Sequence, residues 1–159
     1  MTSSSAASIT VRKMVAADVE QVVALAASLQ HAPHWPQPVY IAALDDTSLP
    51  RRVALVAAQV QSGNIAGFAV ASLLPPLAEL ESIAVRADEQ RQGIGSKLLA
   101  RLAYELKAAE VSELLLEVRA SNTAGIAFYE SLGWRQTGLR PRYYAEPEED
   151  AILMSLSVV

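Results

Sequence analysis

The sequence predicts an α/β protein built on one mixed sheet with helices on both faces. Three observations lead there. Strand-like and helix-like runs alternate along the chain in the order β, helices, three β, helix, β, helix, two β. From Ile94 on, Leu98, Leu102 and Leu106 recur every fourth residue, backed by Leu99 and Ala103, while Lys97, Arg101 and Glu105 fall on the other side. That is an amphipathic helix lying on a sheet. Two apolar runs, 52–60 and 65–74, flank the polar turn Gln61-Ser62-Gly63-Asn64 and read as a hairpin.

The remaining elements follow in order. Residues 1–8 are small and polar and read as a disordered tail, leaving 9–159 as a single domain. Ile9 to Met14 is a first strand. Ala17-Asp18 opens a helix striped by Val19, Val22, Val23, Leu25 and Leu29. His31 to Pro38 is a proline loop holding both histidines and Trp35. Trp35 is either a substrate-facing lip or a ring pinned into the core. Val39 to Asp45 is a short helix. Leu77 to Val85 is a strand on which period-two alternation puts Glu79, Glu81, Ile83 and Val85 on one face. Leu114 to Val118 is a buried strand carrying Glu117 near its end. Ser121-Asn122 is a helix N-cap, Thr123 to Leu132 the helix and Gly133 its stop. Trp134 to Gly138 and Ile152 to Val158 are the last strands, joined through 140–144 and the acidic turn 146–150.

Composition narrows the function. A 52% hydrophobic content excludes disorder as the main state. With no cysteine there is no disulfide framework and no thiol nucleophile, and two histidines three apart supply too few ligands for a metal centre. A net charge of −4 argues against a general nucleic-acid binder. Met1 to Ser5 lacks the basic and apolar regions of a secretory signal. The longest uncharged run, 53–78, is broken by Gln59, the 61–64 turn and Pro75-Pro76 before it reaches the ~20 apolar residues that a bilayer needs. The chain reads as a soluble, cytoplasmic protein with no membrane partner.

One stretch carries chemistry. Gln90-Arg91-Gln92-Gly93-Ile94-Gly95-Ser96 joins a strand to a helix, and its two glycines let backbone approach a ligand closely. Amides at a helix N-terminus favour an anion, so the stretch reads as a pyrophosphate cradle. Leu98 stands where a dinucleotide fingerprint needs its third glycine, so a solvent-facing turn that merely starts a helix fits equally well.

Together these residues resemble the GNAT acetyltransferases. Gln90-x-x-Gly93-x-Gly95 is similar to their cradle motif. Leu116-Glu117-Val118-Arg119-Ala120-Ser121-Asn122, Ala127 to Trp134, Arg142-Tyr143-Tyr144 and Glu149-Asp150-Ala151 resemble the RimI branch, the ribosomal-protein-alanine N-acetyltransferases. The likeness is close from about Leu80 onward and general before it. It implies a mostly antiparallel central sheet, acetyl-CoA as co-substrate and acetyl transfer to the α-amine of a protein N-terminus, a ribosomal protein's alanine above all. By position it implies that Ile83, Ala84 and Val85 bind the acetyl-pantetheine arm through backbone. Arg91, Gln92, Gly93, Ile94, Gly95 and Ser96 would hold the pyrophosphate and Asn122 would contact the cofactor. Glu117 would act as base and Tyr129 as acid.

The chemistry can use such a set. A free α-amine, pKa ~7.7–8.0, needs about 1 kcal/mol of deprotonation at neutral pH, whereas a lysine at ~10.4 needs nearly 5. One carboxylate suffices for the first. Glu117 ends a buried strand, a common place for site residues in open α/β sheets, but an ordinary salt bridge with Arg119 also fits. Glu81 is its rival. Tyr129 follows Asn122 by seven residues, nearly two helical turns, so the two share a helix face, and a phenol can give a proton to a departing thiolate. A core tyrosine is the alternative. Arg142-Tyr143-Tyr144 lines a peptide groove or packs at a strand edge. Other functions are acetylation of a small-molecule amine or a lysine, and a non-catalytic acyl-CoA-binding module.

Overall fold

The computed structural model describes residues 8–30 and 32–159, so His31 and most of the expected tail lie outside the described residues. The elements are β1 (Ile9–Lys13), α1 (Val19–Ala27), α2 (Gln37–Ala43), β2 (Arg52–Gln59), β3 (Ile65–Leu74), β4 (Leu77–Val85), α3 (Ile94–Ala108), β5 (Glu113–Arg119), α4 (Thr123–Ser131), β6 (Arg135–Ala145) and β7 (Glu148–Ser157). The seven strands form one sheet in the order β1-β2-β3-β4-β5-β7-β6. Every neighbouring pair is antiparallel except β4 and β5. The mixed, mostly antiparallel sheet with helices on both faces is therefore as expected.

Alternation along the central strands builds two cores. Leu55, Ala57, Ala69, Ala71, Leu114, Leu116 and Val118 turn one way and pack with Leu98, Leu102 and Leu106 of α3. Ala54, Val56, Phe68 and Val70 turn the other way, toward Val19 and Val22 of α1 and Tyr40 of α2. Strands buried on both faces read as continuous apolar runs, as β2 and β3 do. Trp35 takes the core reading: it packs against this second core, half-buried, its ring 5.3 Å from that of Tyr40. No helix among the described residues is long and apolar enough to cross a membrane.

The structure corrects the sequence reading in three places. Before α1 comes a 3-10 turn, Ala16–Asp18, rather than the helix itself. The buried Asp18 accepts from the Val15 amide at 2.8 Å and takes both guanidinium nitrogens of Arg12 at 2.7 and 2.9 Å. Second, β4 is bulged. Val70 pairs with Ser82 but Ala71 pairs with Leu80, which leaves Glu81 as the extra residue. The bulge reverses the alternation, so Ile83 and Val85 join Leu80 on the α3 face and do not share the face of Glu79. Third, the segment 140–144 is not a loop. β6 runs on to Ala145, β7 begins at Glu148, and only Glu146-Pro147 turns between them. A further irregularity between Arg140 and Tyr144, with Arg142 at φ 55°, accommodates Pro141.

Candidate active site

The site grows out of the one parallel pairing. β4 and β5 are laddered only at Leu77/Glu113, Ala78/Leu114 and Glu79/Leu115. Beyond Glu79 they part, while β4 continues against β3 and β5 against β7. The facing edges of Leu80–Val85 and Leu116–Arg119 thus open a slot through the sheet. The candidates Ile83, Ala84 and Val85 lie along its β4 edge. Backbone groups on such an edge lack a ladder partner and can bond a ligand instead.

One mouth of the slot lies on the α3 face. Gly93 caps α3 at φ 81° and Arg91 stands at φ 65°, a left-handed conformation that turns successive amides to one side. Among the described residues none accepts a hydrogen bond from the amides of Arg91, Gln92, Gly93, Ile94, Gly95 or Ser96, and no side chain caps the helix. Gln90 ties the turn to β4 by donating to the Val85 carbonyl at 3.0 Å. A Cβ on Gly95 would sit 2.9 Å from the Phe128 ring, so the absence of a side chain lets α4 close onto the start of α3. Such an array can bind an anion, by its dipole and its free donors together.

On the same face, α4 carries Asn122 and Tyr129. Asn122 caps the helix, its Oδ1 accepting from the Gly125 amide at 3.0 Å. A Cβ on Gly125 would lie 2.6 Å from the Asn122 amide nitrogen, so only glycine leaves the cap its place. Tyr129 is half-buried between Phe128 and Trp134, with ring centroids 5.4 and 5.5 Å away. Burial pushes its phenol up to about 12.

The other mouth is acidic and aromatic. Leu116 and Val118 point to α3, so Glu117 points to the opposite face. Its Oε1 is 3.2 Å from Nη1 of Arg140, not paired with Arg119 as the sequence suggested. Arg119 instead pairs with Glu149 at 3.2 Å. Tyr143, half-exposed on β6, meets the Glu117 carboxylate, and that interaction raises its phenol. Tyr144 beside it is raised by burial first and by Glu117 next. The rival Glu81 is held by Arg52 at 2.8 Å. Glu79 lies close enough to Glu117 and Glu81 for both to raise its carboxyl, after a larger contribution from burial, with Arg140 acting against them. Sequence reasoning passed over Arg140 and gave Glu79 no role. Arg140 reaches Glu117 across the intervening β7, a contact that no local spacing signals.

Ile83–Val85, the Arg91–Ser96 turn, Asn122 and Tyr129 therefore gather on or along the α3 side of the slot, and Glu117 on the far side. Tyr144 bridges them, since its ring is sensed by Tyr129 and itself senses Glu117. No group of three or more His, Cys, Asp or Glu placed to hold a metal occurs among the described residues.

Comparison with known proteins matches this architecture. Residues 20–134 match the acetyltransferase (GNAT) family. The chain is 47% identical over 100 residues to the [ribosomal protein bS18]-alanine N-acetyltransferase of Escherichia coli strain K12, covering 62% of this chain and 68% of that one. The crystal structure of the ribosomal-protein-S18-alanine N-acetyltransferase of Escherichia coli superposes with a TM-score of 0.80 at 35% identity, over 95% of this chain and 94% of the other. That of Ard1 from Thermoplasma volcanium gives 0.82 at 26% identity, over 95% and 98%. With the family match running from α1 to the end of α4, through the slot and the amide turn alike, the chain belongs to the acetyltransferase (GNAT) family, whose members use an acyl-CoA donor.

Proposed function

We propose that this protein moves the acetyl group of acetyl-CoA to the α-amine of a protein N-terminus, an alanine of a ribosomal protein of the bS18 kind. The observation that carries this is the slot itself. Free amides at its α3 mouth face a carboxylate and two tyrosines at the other, so donor and acceptor can meet from opposite sides of the sheet. The relative that is 47% identical bears that activity in its name.

The residues present fit the donor. Amides without an internal acceptor, a left-handed Gly93 and a bare Gly95 suit a diphosphate, whose charge the helix N-terminus favours. In this reading Arg91 to Ser96 hold the diphosphate, the free edge at Ile83–Val85 binds the pantetheine amides, and the Asn122 side chain keeps its amide nitrogen for the cofactor. When bound, acetyl-CoA supplies an activated acyl group as a thioester.

Glu117 takes the proton from the incoming amine, and Arg140 keeps its carboxylate oriented at the acceptor mouth. Tyr129 keeps its proton throughout the working range, since its phenol stands at about 12. Tyr129 therefore acts first as a hydrogen-bond donor to the departing sulfur and releases its proton late. The oxyanion is met by an amide on the open β4 edge.

Isotope-labelled acetyl-CoA, an alanine-starting peptide and a lysine-bearing peptide with a blocked N-terminus test this. Labelling of the first and not the second is expected, together with strong loss in Glu117→Gln and Tyr129→Phe. Labelling of the blocked peptide moves the assignment to lysine. Tight donor binding with no transfer to any amine leaves an acyl-CoA-binding module.

A further inference from the structure

The geometry points to Arg119 as a positioning residue: its guanidinium latches the β6–β7 hairpin onto the end of β5 and so builds the acceptor wall of the slot. The inference rests on the functional reading above, which it deepens.

The contacts converge on one group. Nη1 of Arg119 donates to the Pro147 carbonyl at 3.2 Å and to Oε2 of Glu149 at 3.2 Å, and Nη2 donates to the Glu146 carbonyl at 3.5 Å. Glu146-Pro147 is the hairpin turn. The face of the same guanidinium lies 4.2 Å from the centre of the Tyr144 ring. Tyr144 packs edge-on against Tyr143, with centroids 5.0 Å apart. One planar cation thus holds the turn by its edge and an aromatic wall by its face, a combination open to arginine and not to lysine.

The latch also reaches the donor side. Glu149 uses its other oxygen, Oε1, to accept from the Ser121 amide. The Arg119 carbonyl accepts from the Asn122 amide at 3.0 Å, and Asn122 caps α4, which carries Tyr129. The pair Arg119–Glu149 therefore fixes the hairpin to the start of α4, and the two sides of the slot share one fastening. Ser121 and Arg119 together hold the Glu149 carboxyl below the usual range, so it stays ionised through the working pH. The cradle on α3 makes none of these contacts. The Asn122 amide donates to the Arg119 backbone carbonyl and its side chain accepts from Gly125, contacts that loss of the guanidinium keeps, so loosening the latch should disturb the acceptor and leave donor binding alone.

The test uses the whole chain in three forms: wild type, Arg119→Ala and Arg119→Lys. In Arg119→Ala the peptide KM is expected to rise about tenfold or more, while the dissociation constant for acetyl-CoA stays within about twofold. Amide hydrogen exchange of residues 142–149 should speed up about tenfold without substrate present, with the start of α3 unchanged. Arg119→Lys should lie nearer the alanine variant than the wild type. Hairpin exchange at the wild-type rate, or an unchanged peptide KM, overturns the inference. If Arg119→Ala does not fold, Glu149→Gln stands in, because it keeps an oxygen for Ser121 and removes the charge facing Arg119, and the same split is expected. A wild type that acetylates no alanine peptide sinks the functional reading, and the exchange measurement then decides the latch by itself.

Discussion

Glu117 sits between a cation and a phenol, and each partner limits what it can do. Arg140 at 3.2 Å holds the carboxylate in place but stands largely in solvent, so the ion pair itself adds little stability. In the proposed reaction its value is orientation toward an amine. Glu117→Gln keeps the shape and removes the proposed base, and should lower kcat by about 10²–10³-fold with little change in melting temperature. On the proposed mechanism Tyr129→Phe loses a hydrogen bond to a developing anion, worth about 1.5–3 kcal/mol, and should lower kcat by about 10–100-fold. The pH profile separates the two roles. Activity on an alanine peptide should rise with pH as the amine, pKa ~7.7–8.0, loses its proton. Tyr129 titrates only near about 12, so it adds no falling limb between pH 8 and about 10. A steep loss of activity across pH 8–9 would contradict that assignment. Asp18 shows the opposite kind of residue, one whose work is stability alone. Arg12 first, then the Val15 amide, hold its carboxyl below the ordinary value against the effect of burial. A folded-state pKa below the unfolded one gives stability that is complete above about pH 4 and fades as pH falls through the folded value. Asp18→Ala should cost about 2 kcal/mol at pH 7 by urea unfolding, and the gap to wild type should narrow below about pH 4.

At the scale of elements, two helix starts shape the candidate site. The start of α3 has no side-chain cap, with Gly93 at φ 81° and open space where its Cβ would go. Gly93→Ala meets no neighbour, so its cost is backbone strain of about 1 kcal/mol, placed on the amide array itself. The start of α4 is capped, and there the obstacle is contact: Gly125→Ala would drive a methyl into Asn122. It should cost about 1 kcal/mol for the lost cap and raise the KM for acetyl-CoA several-fold. Asn122→Ala should reproduce both effects, and a Gly125→Ala enzyme with wild-type KM would detach Asn122 from the donor. These starts were legible, because turn glycines and an N-cap Asn are signals of local backbone chemistry. The bulge at Glu81 was not. Period-two alternation assumes an unbroken ladder, and the residue that breaks it is an ordinary glutamate paired with Arg52 of a strand 29 positions earlier. The length of β6 was hidden for a different reason. It is an edge strand, mostly exposed and rich in arginine, so burial imposes no alternation to read.

For the whole molecule, the order of elements and the two-sided burial of β2 and β3 made the layers legible. The slot was not legible, since no residue announces that β4 and β5 part beyond Glu79. A splay comes from what each strand prefers on its other side: β4 stays with β3 and β5 with β7. This leaves the sheet joined across its middle by the β4–β5 pairs at residues 77–79 and by α3, whose core takes in residues of both halves. A ligand spanning cradle and slot then bridges the two halves, and binding should register as stability of the whole. At a free concentration of 100 times the dissociation constant, the linkage gives about 2.7 kcal/mol. For a chain of 159 residues that corresponds to a rise of roughly 5–10 °C in melting temperature. Hydrogen exchange should slow along residues 80–85 of β4 and at the start of α3, on opposite sides of the same ligand. Gly93→Ala at the same acetyl-CoA concentration should show a smaller rise in proportion to its weaker binding. The contrary result is a rise equal in both proteins, with protection confined to one half of the sheet. That would mean the donor does not reach from the Arg91–Ser96 amides to the β4 edge, and the division of the slot into a donor mouth and an acceptor mouth would fail with it.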